Sequence, residues 1–269
     1  MIIGKAISPF RIKRRNGGGG GTDADAQAFI TASGISGTEA TAINTLVGTL
    51  KSINVWTKIK AAYPMVGGTA TSCKWNLKSP IDSNGSYRLV FSGGGTFSAN
   101  GYQLNGTNAF ANTFLAPSVA LTLNSQHISF YSRTNSNGTE VEMGCNNSGS
   151  APNTLLEIRT AGITYTSMAS GIYTTFTDAN SLGLYIGNRT ASNVIKLHKN
   201  AAIAATGTTA STANPNSNMS LGALGGTVQQ FYSSKQCAFA SIGDGLSDAE
   251  ALAFYNAVQT FNTTLGRQV

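Results

Sequence analysis

The chain has 269 residues, of which 41% are apolar and only 11% charged, against roughly 25% charged in ordinary soluble domains. That apolar content excludes global disorder, and the Thr, Ser, Asn and Gly that replace Lys and Glu suit strands and tight turns better than helical bundles. Of the net charge of +7, Lys5, Arg11, Lys13, Arg14 and Arg15 supply five before the first acid, Asp23, which leaves +2 for all other residues, so a globular nucleic-acid-binding face is poorly supported.

Residues 1–16 interleave Ile2, Ile3, Ile7, Phe10 and Ile12 with those five cations. Pro9 disfavours a helix there, and the β-branched side chains favour an extended strand. The expectation is an anchoring arm, whose apolar residues fill pockets on another protein or extend a sheet edge. Arg11, Lys13, Arg14 and Arg15 would then meet an acidic protein surface, with nucleic acid as the second choice. Residues 17–22 form a linker, and its five glycines, Gly17–Gly21, span on the order of 12 Å root-mean-square. No strand precedes them and no Lys-Ser/Thr follows, which excludes a phosphate-binding loop. The charges follow the apolar residues, the reverse of a secretory signal. No apolar run approaches the roughly 20 residues of a membrane-spanning helix.

Residues 23–63 are expected to be helical and to pack on a domain spanning 64–269. DADAQAFITASG reads as a short helix capped by Asp23 or Asp25 and closed at Gly34. TEATAINTLVGTLKSINVWTKIKAAYP carries Ile43, Leu46, Val47, Leu50, Ile53 and Ile59 at spacings of three and four, and is stopped by Tyr63-Pro64. Beyond it, short alternating stretches follow one another: YRLVF, AFANTFL, HISFYSR, EVEMG, LLEIRT, GITYTSM, LGLYIGN, VIKLHKN and MSLGAL. Their Gly, Asn and Pro punctuation predicts an antiparallel sandwich or barrel. LSDAEALAFYNAVQTFNTTLG predicts a final helix capped by Ser247 or Asp248, with Leu252, Tyr255, Val258 and Phe261 as its apolar face. Cys73, Cys145 and Cys237 are widely separated and odd in number, so they read as buried thiols of a chain folded in a reducing cytoplasm.

CAFASIGDGLSDAEALAFYNAVQTF resembles the closing strand, loop and helix of concanavalin A-like and laminin-G-like jelly-roll domains. SLGLYIGNRTASNVIKLHKNAAIAATGT resembles their paired face strands. Together with VWTKIKAAYPMVGGTATSCKWNLKSP and GYQLNGTNAFANT, residues 23–269 look like the jelly-roll virion proteins of bacteriophages. The resemblance implies a mostly β fold: two packed antiparallel sheets flanked by the N-terminal helices, the C-terminal helix and the extended arm. It further implies a non-enzymatic surface protein of the virion, a spike, head-fibre or tail-fibre module assembled in the host cytoplasm. Such a protein would be anchored on capsid or fibre-base proteins through residues 1–16, form a homo-oligomer, and contact host glycans. A host adhesin is the alternative primary role.

A third reading, glycan cleavage, rests on Glu140 and Glu142, which as i and i+2 on a strand share a face. Retaining glycosidases need two carboxylates about 5–5.5 Å apart. The glucanase pattern E-x-D-x-x-E is missing, however, so strand-face or rim glutamates are the simpler account. Glu157 and Arg159 are expected to form a same-face ion pair. His127 and His198 stand in strands without a metal or triad motif. Some laminin-G-like domains hold calcium at a rim; Asp82, Asp178 and Asp244 are loop acids but form no dense cluster, so no cofactor is expected. Trp75, Tyr102, Tyr131, Arg133, Asn188 and Arg189 are the candidate sugar-binding residues of the rim, although Trp75 and Tyr131 read more readily as core.

Overall fold

The structure is a computed structural model describing residues 21–269. The arm residues Ile2, Ile3, Ile7, Phe10, Arg11, Ile12, Lys13, Arg14 and Arg15, and most of the glycine linker, lie outside the described residues. Helix α1 (Ala24–Ser33) starts at Asp23, whose carboxylate accepts a hydrogen bond from the Asp25 amide, and ends at Gly34 in the left-handed conformation. Helix α2 (Gly37–Ser52) buries Ile43, Leu46, Val47 and Leu50, as the stripe predicts.

The expected helix does not continue to Tyr63. Asn54 turns left-handed at φ 59°, a 3-10 turn covers Trp56–Lys58, and β1 (Ile59–Tyr63) follows as a strand. KAAY has good helical propensity, but its backbone pairs antiparallel with the last strand of the sandwich, and Ala61 and Tyr63 enter the core. Sheet pairing and burial override propensity here. The sandwich therefore begins at Ile59, and the boundary at 63/64 does not stand.

Next come α3 (Ala70–Cys73), β2 (Val90–Ser92), β3 (Thr96–Ser98), β4 (Gly101–Gln103), β5 (Phe110–Asn112), α4 (Pro117–Ala120) and β6 (Gln126–Ser132). The middle of the chain supplies β7 (Met143–Asn147), β8 (Ser150–Thr160), β9 (Ile163–Ser170) and β10 (Thr174–Thr177). It continues through β11 (Gly183–Ala191), β12 (Val194–Lys199) and β13 (Ala202–Gly207). The short β14 (Ser220–Leu221) and β15 (Leu224–Gly225), then β16 (Gln236–Gly243) and α5 (Asp248–Thr264), complete it.

Two eight-stranded sheets result among the described residues. The first runs β13-β12-β11-β6-β16-β4-β3 with β1 also on β16; the second runs β10-β9-β8-β7-β14-β5-β2 with β15 on β7. All pairings are antiparallel except β15 with β7, which gives the antiparallel sandwich expected from the sequence. Ile128, Phe130, Tyr185 and Ala240 of the first sheet meet Leu156, Ile158 and Met168 of the second in one core. The sheets approach so closely at Gly187 that a Cβ there would lie 2.3 Å from Thr166 Oγ1. Cys73, Cys145 and Cys237 are free and buried.

The outer face of the first sheet carries Tyr131, Leu184, Ile186 and Phe239, and α1, α2 and α5 cover it with Phe29, Val47, Leu50, Phe254 and Phe261. A capping box between Ser247 and Glu250 sets the phase of α5. That phase buries Ala251, Phe254, Val258 and Phe261 and leaves Leu252 44% exposed. Two residues of the expected apolar face hold, Tyr255 is half-buried, and Phe254 replaces Leu252 because its ring meets Phe239 edge-on at 6.0 Å.

Arg267, the third residue from the end of the described chain, is fully buried. It donates to the carbonyls of Pro64 at 2.6 Å, Met65 at 2.7 Å and Ala238 at 2.9 Å, and to Asn262 Oδ1 at 2.9 Å. Burial lowers its pKa to about 10. Each carbonyl left unpaired in the interior costs about 1–3 kcal/mol. Arg267→Met should therefore lower stability by about 3 kcal/mol or more, read as a lower urea midpoint; an unchanged midpoint would contradict the clamp.

Candidate functional site

Helices cover the first sheet, and on the outer face of the second Leu155 is buried with Val141 and Leu224 and Ser167 is buried beside it, which leaves the stretch of β8, β9 and β10 around Glu157 as its accessible part. The registers Glu157↔Tyr165 and Thr175↔Tyr165 place these three side chains in one outward row. Their neighbours Leu156, Ile158 and Phe176 turn inward to the core, as the period of two requires. In the β9–β10 connection Tyr173 meets Tyr165 edge-on, with ring centroids 5.7 Å apart and an interplanar angle of 82°. Tyr173 is 41% exposed and Ile172 59%.

Glu157 is half-buried beside this pair, with no cation within 4.0 Å among the described residues. Burial alone raises its pKa from 4.5 to about 7. The expected ion pair with Arg159 does not form. The β8–β9 register shifts between Glu157 and Thr160, and Arg159 takes a positive φ of 60°. Its guanidinium then goes to Asn135 Oδ1 at 2.8 Å. The result is an aromatic pair, Tyr173 exposed and Tyr165 half-buried, next to a carboxylate with no side-chain partner among the described residues.

Four of the expected rim residues are interior. Tyr102 stacks on Phe97 at 4.7 Å and meets Phe91 edge-on at 4.9 Å. Tyr131 lies under α5 and donates its hydroxyl to Gln259 Oε1 at 2.8 Å. Asn188 is buried and brackets Leu246, donating to its carbonyl at 2.7 Å and accepting from its amide at 3.0 Å. Arg189 is fully buried and donates to the carbonyls of Met168 at 2.8 Å and Thr209 at 3.1 Å. All four are buried away from the rim; the polar atoms of Tyr131, Asn188 and Arg189 are spent on the fold, while the Tyr102 hydroxyl is enclosed with no partner among the described residues. Trp75 and Arg133 are half-buried. Lys74 sits over the Trp75 ring at 4.6 Å, and Arg133 donates to Gln236 Oε1 at 2.7 Å.

Glu140 and Glu142 both lie 3.1 Å from the Lys235 ammonium, which is fully buried. Glu142 also accepts from Ser233 Oγ at 3.1 Å and from the Ile158 amide, and Glu140 from the Ser234 amide at 3.0 Å and hydroxyl at 2.6 Å. Burial raises the Glu142 pKa to about 7. Burial also opposes the Glu140 charge, but Ser234 and Lys235 outweigh it and hold that carboxyl below its usual value. This arrangement is an ion cluster that joins the approach to β7 with the approach to β16.

The loop acids are also engaged. Asp82 bridges Lys74 and Arg88, Asp178 pairs with Lys199 and accepts from Tyr185, and Asp244 pairs with Lys60. Among the described residues no three His, Cys, Asp or Glu side chains converge on a metal position. His127 is buried between Ser241 and the Asp244 carbonyl, and burial depresses its pKa to about 4.

No protein-family model and no curated protein matches the chain in sequence. Solved structures match it in shape. The binding domain of botulinum neurotoxin serotype D aligns at TM-score 0.50 and 10% identity, over 75% of this chain and 52% of that one. A botulinum neurotoxin type C chain, from a toxin whose cell entry depends upon interaction with two ganglioside molecules, aligns at TM-score 0.51 and 11% identity, over 77% and 53%. Domain 4 of an extracellular arabinanase from Geobacillus stearothermophilus, in complex with arabinotriose, aligns at TM-score 0.45 and 13% identity, over 74% and 98%. The chain thus spans about half the length of the neurotoxin chains. At such identities the likeness is one of fold.

Sequence reasoning missed Glu157, Tyr165 and Tyr173. In GITYTSM the inward residues Thr164 and Thr166 are polar and the outward Tyr165 is aromatic, so polarity gives the phase of the strand backwards.

The raised Glu157 pKa has a sign in stability. Between pH 4.5 and about 7 the unfolded chain has lost this proton while the folded chain still holds it, so the group destabilises the fold as pH rises through that window. Glu157→Gln removes the effect. The urea midpoint of the variant should gain on that of the parent from pH 4.5 to about 7; a constant difference would contradict the desolvated carboxyl.

Proposed function

We propose that the chain is a non-enzymatic surface protein of a bacteriophage particle, a spike, head-fibre or tail-fibre module, whose sandwich recognises a host glycan. In this reading residues 1–16 anchor it to other virion proteins and the sandwich is displayed as a homo-oligomer. The observation that carries glycan recognition is the Glu157, Tyr165 and Tyr173 group on the open sheet face. A sugar presents an apolar C–H face that stacks on an aromatic ring, and hydroxyls that donate to a carboxylate. Glu157 has no cation within 4.0 Å among the described residues, so ligand hydroxyls would supply donors to its half-buried carboxylate.

The ganglioside dependence of the type C neurotoxin, a chain of similar fold, supports the same class of ligand. The non-enzymatic reading is supported by Glu140 and Glu142, whose oxygens are taken up by Lys235, Ser233 and Ser234. A carboxylate so held is poorly placed to act as nucleophile or acid. The virion reading is supported by the resemblance of residues 23–269 to phage jelly-roll proteins and by the apolar, basic composition of the arm.

The test is binding of the full chain to an array of bacterial capsular and lipopolysaccharide-derived oligosaccharides, followed by titration calorimetry on the strongest ligand. Tyr173→Ala and Tyr165→Ala should each weaken binding about tenfold or more, the usual scale for a truncated aromatic anchor. Leu252→Ser, on the exposed side of α5, should leave it unchanged. Binding that survives both tyrosine changes would move the site elsewhere, and absence of any glycan binding would overturn the reading.

A further inference from the structure

Along the seam between α2 and α5 runs a groove of about 280 Å³. Leu46, Ala257 and Phe261 form its floor and Thr45, Thr49 and Thr260 stand at its lip; no charged side chain lines it. Such a groove accepts apolar side chains of a narrow segment and offers a charged one nothing.

The described chain starts right beside this helix pair. The Asp23 amide donates to Asn44 Oδ1 at 2.7 Å, and its carboxylate pairs with Lys51 at 2.7 Å. Asn44 and Lys51 are seven residues apart and so share one side of α2, whereas Ala42, Leu46, Thr49 and Ile53 lie on the far side, along the groove. Between the two sides the surface of α2 is Thr41, Thr45, Gly48 and Ser52, small enough for a chain to cross close to the helix. Residues 16–22, fully extended, reach about 23–25 Å, enough to round half of a helix about 10–12 Å across.

The segment on the other end of that tether fits the groove. In an extended FRIK, Phe10 and Ile12 face one way and Arg11 and Lys13 the other. The apolar pair can enter while the cations stay in water. A short flexible tether gives its own groove an effective concentration in the millimolar range, far above that of a second copy at micromolar protein.

We propose that in the unassembled protein the chain's own arm is stowed in the α2–α5 groove through Phe10 and Ile12. The arm and the groove cover each other's apolar surface until an anchoring partner takes the arm. The anchoring role rests on the function proposed above; the stowing does not depend on the glycan site.

The test uses full-length double variants, Ser8→Cys with Thr45→Cys and Ser8→Cys with Thr260→Cys. In an extended arm Ser8 would share a face with Phe10, and both threonines are exposed. Cys73, Cys145 and Cys237 are buried and do not compete. Under mild oxidation at micromolar protein, at least one pair should form an intramolecular disulfide about tenfold faster than Ser8→Cys with Thr175→Cys, on the opposite sheet. Adding Phe10→Asp should abolish that advantage. Rates equal to the control would overturn the proposal, as would disulfides formed mainly between chains, which would assign the groove to a second copy. Both readouts leave glycan binding untouched, so the two readings fail separately.

Discussion

The packing of α2 and α5 over β6, β11 and β16 decides which surfaces of this sandwich are open. A two-sheet sandwich has two outer faces, and here one is sealed by Phe254 and Phe261 against Phe239, with Tyr131, Leu184 and Ile186 beneath. Burial of several aromatic side chains, each worth about 1.5–3 kcal/mol, makes that roof part of the fold. The accessible surface is then part of the second sheet and the loops. The second sheet offers Tyr165, Tyr173 and Glu157, while the most conspicuous polar side chains of the loops are consumed internally.

That internal consumption is a consistent feature. Arg189, Arg267 and Lys235 are all fully buried, and each ties together segments distant in sequence. Arg189 and Arg267 do so through backbone carbonyls, and Lys235 through two glutamates. A low-charge chain with long loops uses its few cations as internal cross-braces, satisfying carbonyls that strands and helices leave unpaired. This explains why a Tyr, Asn or Arg in a turn-rich context is a poor guide to a ligand surface in this protein.

The parts of the fold legible in the sequence are those with a simple period or a chemical stop signal. The stripe Ile43, Leu46, Val47, Leu50 gives α2, Asp23 and Gly34 bound α1, and alternation gives β6, β9, β11 and β12. The failures have physical causes. Residues 59–63 pair with a strand nearly 180 residues later in the chain, a non-local contact that no local pattern reports. The face of α5 is set by where Phe239 waits, so Phe254 and not Leu252 turns inward. Glu157 and Arg159 are separated by a bulge, which strand periodicity cannot anticipate. The candidate site was the least legible part, because threonines line the core side of β9 and a tyrosine its outer side.

The central claim is that the outer face of β8, β9 and β10 is where this protein meets a glycan. The most direct measurement is backbone amide hydrogen exchange of the full chain with and without its best oligosaccharide ligand. Added protection should concentrate in residues 155–177, around Glu157, Tyr165 and Tyr173. Protection centred instead on the loops of Trp75 or Arg133, with β8–β10 unchanged, would contradict the account.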